Sequence, residues 1–273
     1  MPELPEVETI KRQLESRVVG QKIVKVVANC HALVFRDYPG KKNISRELSR
    51  KKIKSLNRRG KYLLFSLDQG LTLVIHLGMS GTLLIRDQNA PRDRHCHLEI
   101  FFQKFKLSFR DPRMFGRLAL IKDSDFSSLP GLLKLGPEPL SREFNAQWLS
   151  EKFRGRKAPV KALLLDQSVG AGIGNIYSDE ALHLAGISPL RKAGNLNPQE
   201  IAGLTSAVKK ILKEAIAKIG CTFRDYRTTE GALGNFQPRV YGRKGEPCKR
   251  CGGQIKRTRL GNRSSFFCTQ CQH

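Results

Sequence analysis

Four cysteines near the end of the chain constrain its fold more tightly than any other feature. Cys248, Cys251, Cys268 and Cys271 form two C-x2-C pairs separated by sixteen residues. Each pair turns two thiolates toward one ion from a tight knuckle, and two knuckles on a hairpin close a tetrahedral zinc site. Four protein ligands leave no open position, so one zinc ion held here is structural. The competing readings are a redox dithiol or coincidental pairs. The chain has seven cysteines, an odd number, with Cys30, Cys96 and Cys221 scattered. In a reducing compartment that pattern favours metal over disulfides.

The hairpin is also basic. Arg243, Lys244, Lys249, Arg250, Lys256, Arg257, Arg259 and Arg263 are opposed only by Glu246. The whole chain of 273 residues carries 49 Lys and Arg against 24 Asp and Glu, a formal charge of +25. Such a balance points to a polyanionic partner, nucleic acid ahead of an anionic membrane. The hairpin then lies on a phosphate backbone, unless it is merely a solvated charged face. The N-terminus has no apolar core of the kind a signal peptide needs, and no apolar run is long enough to span a bilayer. The expectation is a soluble, intracellular protein with no membrane contact.

Periodicity divides the chain. Pro5 and Glu6 open a helix, Val7, Ile10, Leu14 and Val18 form its apolar stripe, and Gly20 stops it. Short β-rich runs follow (QKIVKVV, KYLLFSL, LTLVIHL, GTLLI, HLEIFF, KLSF, RLALI), separated by turn signals. Helical patterns then cover 144–153, 158–167, 175–184 and 198–219, the last opened by Asn197 as cap and Pro198. The expected class is α+β and multidomain: a β-sandwich with a leading helix over 1–128, a Pro- and Gly-rich linker over 129–140, a helical domain over 141–240, and a four-cysteine β-hairpin over 241–273.

Several short motifs admit a chemical and a plainer reading. Gly170 to Asn175 opens a helix, so its backbone N–H groups can meet a phosphate or simply make a helix-packing turn. Removal of Met1 would leave Pro2 as a secondary amine, partly unprotonated at neutral pH, able to attack sugar C1′ and form a Schiff base. Glu3 would stand beside it as acid or base. Acids and prolines at a helix start are equally ordinary capping. His76 to Gly81 and Asp111 to Gly116 sit at strand ends, where Met79, Arg113 and Phe115 can wedge into a base stack or pack in the core. His95 and His97 flank Cys96, but alternation turns the middle residue to the opposite face, against a metal site.

Taken together, PELPEVE, RRGKYLLF, HLGMSG, DPRMFG, GPEPL, GIGNIY, VYGRKGEPC and the terminal cysteines resemble, in the same order, the formamidopyrimidine-DNA glycosylases. The resemblance runs from Met1 to Cys271. It implies a β-sandwich, a helix–two-turn–helix domain and a zinc finger. It also implies a bifunctional enzyme that excises 8-oxoguanine and formamidopyrimidines from duplex DNA and cleaves abasic sites by β,δ-elimination. By that resemblance Pro2 is the nucleophile and Glu3 its partner, with Glu6 shaping the site and Lys61 contacting phosphate near the lesion. His76, Asn175 and Arg263 are further phosphate ligands, and Lys161 is a DNA-binding lysine near the active site. Met79, Arg113 and Phe115 fill the void left by the flipped nucleotide, and Thr222, Phe223, Arg224, Asp225 and Tyr226 belong to a loop capping the everted base. Two departures stand out: Cys96 lies where His-Asp-His is common, and Met114 where a lysine or arginine is usual. An endonuclease VIII-like preference for oxidised pyrimidines is the alternative within the enzyme class, and Leu4 with the intact Met79, Arg113 and Phe115 set argues against it. A DNA- or RNA-binding zinc module without catalysis is the alternative outside it, and it would have no use for Pro2 or Glu3.

Overall fold

The computed structural model describes residues 2–36, 38, 41–122, 125–223 and 225–273. They form two compact units, one of residues 1–133 with 218–235, the other of 134–217 with 236–273.

In the first unit, α1 (Leu4–Val18) buries the expected stripe, with Leu4, Val7, Ile10, Leu14 and Val18 fully excluded from solvent. Each such side chain contributes about 1.5–3 kcal/mol of hydrophobic stabilisation. The helix lies on β2 (Ile53–Arg59) and β3 (Tyr62–Leu67). Gly20, at φ +83°, takes the left-handed turn that ends the segment, and its N–H bonds to Ile53 O at 2.8 Å. Two antiparallel sheets make the sandwich. One runs β2, β3, β4 (Leu71–His76), β8 (Arg117–Lys122). The other runs β1 (Lys25–Ala28), β6 (Cys96–Phe101), β7 (Lys106–Arg110), β5 (Thr82–Arg86). Alternating burial along β3 shows one face turned to the core.

The strand-like runs all became strands. Two further elements did not announce themselves. Strand β2 reads IKSLNRR, with too few apolar residues to show alternation, and a bulge between Ile53 and Ser55 breaks its period. Arg58 within it is held by Glu8 of α1 at 2.8 Å. The short helix α2 (Ile44–Leu48) covers β1.

The second unit contains α4 (Ala146–Phe153), α5 (Val160–Leu165), α6 (Asn175–Ala185) and α7 (Pro198–Ala217), with α7 against α4 and α6. Asn197 caps α7: Glu200 N–H donates to its Oδ1 at 2.9 Å, and Asn197 N–H donates to Glu200 Oε2 at 2.8 Å. A two-stranded hairpin, β9 (Ile255–Leu260) and β10 (Arg263–Cys268), carries the cysteines and packs on α6.

The hairpin clusters with the helices in one unit, and a short helix, α3 (Pro130–Leu133), lies near the start of the 129–140 stretch, which divides between the units after Leu133. Residues 218–235 return to the first unit instead of staying with the helices. Backbone explains that return: Thr229 O accepts from Ile85 N–H at 2.9 Å, and Gln13 Oε1 accepts from Thr229 N–H at 3.1 Å.

Gly220 sits at the root of this returning segment with φ +83°, and a Cβ there would stand 2.7 Å from Glu6 Oε1. Gly220→Ala is therefore expected to destabilise the protein by at least about 1–2 kcal/mol, the usual cost of the left-handed region alone. Gly203→Ala, in the interior of α7 with open space around the new carbon, is expected to stabilise by about 0.5–1 kcal/mol. Urea unfolding of the two variants should show shifts of opposite sign.

Candidate functional site

The N-terminal residues are fixed by a capping box. Glu3 is the N-cap of α1, and its N–H donates to Glu6 Oε2 at 2.7 Å. The other oxygen, Glu6 Oε1, accepts the Cys221 N–H at 2.8 Å. Pro2, Glu3 and Glu6 are all buried. The cap sets where Glu3, and Pro2 before it, stand.

The two strand-end motifs meet at Asp111, which is fully buried. Its Oδ1 accepts from Ser80 Oγ at 2.6 Å and from Arg113 N–H at 3.3 Å, and its Oδ2 accepts from Gly116 N–H at 2.7 Å. His97 Nε2 lies 2.9 Å from Asp111 O. Gly78 abuts Phe115 and Gly116 so closely that a Cβ would fall 2.5 Å from their backbone. Arg36 adds a clamp, donating to Met114 O at 3.0 Å, where Met114 holds φ +52°. On these braced turns Met79 and Phe115 are 39% and 46% exposed, and the exposed Arg113 guanidinium lies 4.6 Å from the Phe115 ring centroid. Core packing is excluded for all three.

Lys61 lies, largely buried, in the turn between β2 and β3, and His76 ends β4 directly opposite Tyr62, ring centroids 4.7 Å apart. Burial first, then the charges of Lys61 and Arg36, push the His76 pKa down to about 4. The ring is neutral at physiological pH. Its Nδ1 accepts the Gly78 N–H at 3.1 Å, so its one proton sits on Nε2.

Of the five candidate loop residues, two are tied down. Thr222 Oγ1 donates to Tyr226 O at 3.1 Å and accepts the Gly234 N–H at 2.8 Å. Tyr226 is buried, donates its hydroxyl to Ile219 O at 3.0 Å, and has its pKa raised by burial and by Glu6. Phe223 and Asp225 are exposed. Arg224 lies outside the described residues.

In the second unit, α6 carries the hairpin. Asp179 accepts from Ser265 Oγ at 2.7 Å and from Phe266 N–H at 2.9 Å. Glu180 accepts the N–H groups of Arg239, Val240 and Tyr241 at 2.8–3.0 Å. Asn175 Nδ2 donates to Ser264 O at 3.0 Å and Tyr241 Oη at 3.3 Å. Arg263, next in chain, is exposed. Lys161 departs from expectation. It is fully buried, 2.8 Å from Asp179 and 3.0 Å from Ser264 O, so it positions the hairpin and does not offer its charge at the surface. The glycine stretch is stitched as a packing turn, with Gly172 N–H on Gln167 Oε1 at 2.9 Å, and Gly174 caps α6.

The four cysteine sulfurs fit a zinc ion. Bonds of about 2.3 Å in a tetrahedron place sulfurs about 3.8 Å apart. Here Cys248 and Cys271 are 3.9 Å apart, Cys251 and Cys268 3.5 Å, and all four lie within 4.8 Å of one another. Among the described residues no other group of three or more metal-ligating side chains converges this way, His95 and His97 included.

Family models match the chain in three pieces: the formamidopyrimidine-DNA glycosylase N-terminal domain over 1–118, its H2TH domain over 135–226, and the zinc finger found in FPG and IleRS over 245–273. The chain is 42% identical to the formamidopyrimidine-DNA glycosylase of Desulfitobacterium hafniense over the full length of both. It belongs to the formamidopyrimidine-DNA glycosylase family. A Xanthomonas oryzae member is 43% identical, again over the full length of both. A variant of the Lactococcus lactis enzyme solved with Fapy-dG-containing DNA matches with a TM-score of 0.92 at 38% identity over all of both chains. A MutM structure with carbocyclic 8-oxo-G DNA matches at 0.90 and 39%, again over all of both chains.

Within this glycosylase fold, sequence reasoning missed Asp111, Asp179, Glu180 and Arg36. The two α6 acids were detectable: they interrupt a helix whose other residues are mostly buried, and a buried acid needs donors. Asp111 braces its own turn through Arg113 N–H and Gly116 N–H, but its bond to Ser80, and that of Arg36 to Met114 O, join positions 31 and 78 residues apart and leave no local mark.

The His76 assignment is open to NMR. Its imidazole should remain the neutral Nε2–H tautomer from pH 8 down to about 5, with a midpoint near 4. A midpoint near 6.5 would show that the surrounding cations and burial do not act on it.

Proposed function

We propose that the chain removes oxidised purines from duplex DNA and cleaves the resulting abasic site through a Schiff base on Pro2. Family membership makes it a base-excision DNA glycosylase, and relatives solved with Fapy-dG, 8-oxo-G-analogue and abasic-site DNA support this substrate class. The observation that carries the reading is the exposure of Met79, Arg113 and Phe115 on turns locked by buried Asp111. Large side chains on rigid turns suit an enzyme that must fill the space of an extruded nucleotide, because extrusion costs a few kcal/mol.

The chemistry follows from the N-terminus. With Met1 removed, the Pro2 amine attacks C1′, the C1′–base bond breaks, and Glu3 supplies a proton to the sugar ring as it opens. The proton lost from the amine as the iminium forms passes to the departing base, and the iminium acidifies the C2′ and then the C4′ proton, which are lost to water as successive eliminations expel the 3′ and then the 5′ phosphate. Lys61, the Nε2–H of His76, Arg263 and the N–H groups at the start of α6, with Asn175, serve as phosphate ligands. Phe223 and Asp225, two exposed residues of the returning segment, act as the cap over the base. The zinc ion holds the hairpin that presents Arg263. The enzyme works as a cytoplasmic monomer, and among the described residues no helix is long and apolar enough to cross a membrane.

Borohydride trapping on a duplex with one 8-oxoguanine opposite cytosine tests this. Protein shown by mass to lack Met1 should form a covalent adduct, and protein retaining it should form none. An adduct on the unprocessed protein would overturn the assignment of Pro2, and no adduct on either would favour a non-catalytic binder. Glu3→Gln should lower base release by about 10²-fold or more while leaving trapping on a ready-made abasic site. Arg263→Ala should weaken binding to all sequences alike and reduce the slope of log K against log salt by about 0.9, one phosphate contact.

A further inference from the structure

Helix α6 turns three buried polar side chains toward the four-cysteine hairpin: Asp179, Glu180 and His183. The first two hold backbone of β10 and of the segment leading into the hairpin. His183 stands four residues beyond Asp179, on the same face of the helix. It is 3% exposed, and its Nε2 lies 3.4 Å from the sulfur of Cys248. That sulfur also receives the Arg250 N–H at 3.4 Å. No partner meets His183 Nδ1 among the described residues.

The direction of the contact follows from the chemistry of the metal site. A zinc-bound cysteine is a thiolate and has no proton to give. The bond at Cys248 can therefore only run from nitrogen to sulfur, and the imidazole proton must sit on Nε2. We propose that His183 donates this hydrogen bond to the zinc-bound Cys248 thiolate, fixing the first knuckle on α6 and slowing loss of the ion. The donor withdraws charge from the sulfur, so the thiolate is a poorer target for protonation, the step that releases a cysteine from zinc. The hairpin's small core of Val240, Cys248, Ile255 and Cys268 has little apolar area of its own, so retention of the ion and order of the hairpin are one property. The inference rests on the zinc assignment.

Metal analysis of the parent protein comes first. One zinc per chain is expected, and none would overturn the zinc assignment and this inference together. His183→Phe keeps a ring of similar size and removes the donor, whereas His183→Gln keeps an N–H donor. With zinc-loaded protein and an excess of chelator, release followed by a colorimetric zinc indicator should be about 10–100-fold faster for the Phe variant, the range typical when a partner of a metal ligand is lost. The Gln variant should recover most of the difference. Release from the Phe variant at the parent rate would overturn the proposal, and so would a Gln variant as fast as Phe, which would assign the effect to packing. The unaltered zinc-loaded protein supplies an independent measurement if a variant fails to fold. Its His183 should show the Nε2–H tautomer by nitrogen NMR, and the Nδ1–H tautomer would overturn the proposal.

Discussion

The carboxylate of Glu6 accepts the Glu3 N–H with one oxygen and the Cys221 N–H with the other, joining groups 215 residues apart in sequence. Burying a carboxylate is costly unless donors replace its water. Here both donors are backbone N–H groups, and Glu6 itself lies in the first turn of α1, whose positive end favours a negative charge. The consequence is geometric. The start of the helix, where Pro2 and Glu3 stand, and the root of the segment that carries Phe223 and Asp225 are held by one side chain. A base-releasing site and the cap proposed to cover it can then keep a fixed spacing without a large interface between them.

The same device recurs in the second unit. Asp179 is buried against Lys161, Ser265 and the Phe266 N–H, and burial raises its pKa to about 6 against the pull of those partners. Glu180 takes three consecutive N–H groups of the lead-in to the hairpin. Asp111 does the equivalent work for the turns bearing Met79, Arg113 and Phe115. In each case a buried acid organises nearby backbone, a loop at Asp111 and Glu180 and strand β10 at Asp179. In a chain with 49 basic residues the 24 acids are the scarcer resource, and several stand inside where they shape loops.

What the sequence revealed, and what it hid, follows from this division. The cysteine spacing, the stripe of α1, the β-rich runs and the Asn197 cap are local patterns, and each was legible. Met79, Arg113 and Phe115 were legible only as alternatives, because a hydrophobic residue at a strand end carries no mark of exposure until the fold is known. Strand β2 was hidden because its stability comes from β3 and from Glu8, not from its own composition. Lys161 was assigned to DNA by resemblance, and its burial was hidden because its partner, Asp179, is brought to it by packing of α5 on α6. The return of residues 218–235 to the first unit depends on Gln13, Ile85 and Glu6, none of which is near in sequence. Of the two departures from the family pattern, Cys96 is buried in β6 and Met114 holds a left-handed turn under Arg36.

The net charge of +25 was the broadest clue to a polyanionic partner, yet it describes the least selective part of the interaction. Charged contacts displace counterions, so their contribution to affinity is the same on any sequence and falls with salt. A neutral imidazole at His76, a hydroxyl or a backbone N–H at a helix start releases no counterion, but each has a direction. In the roles proposed for them such groups would fix where a phosphate sits without tightening the grip on DNA through charge. The proposed nucleophile belongs to the same class, since an amine attacks only when unprotonated. The basic surface therefore supplies affinity that does not depend on sequence, while the chemistry proposed for the lesion turns on one uncharged amine beside Glu3, whose N–H is held by the buried carboxylate of Glu6.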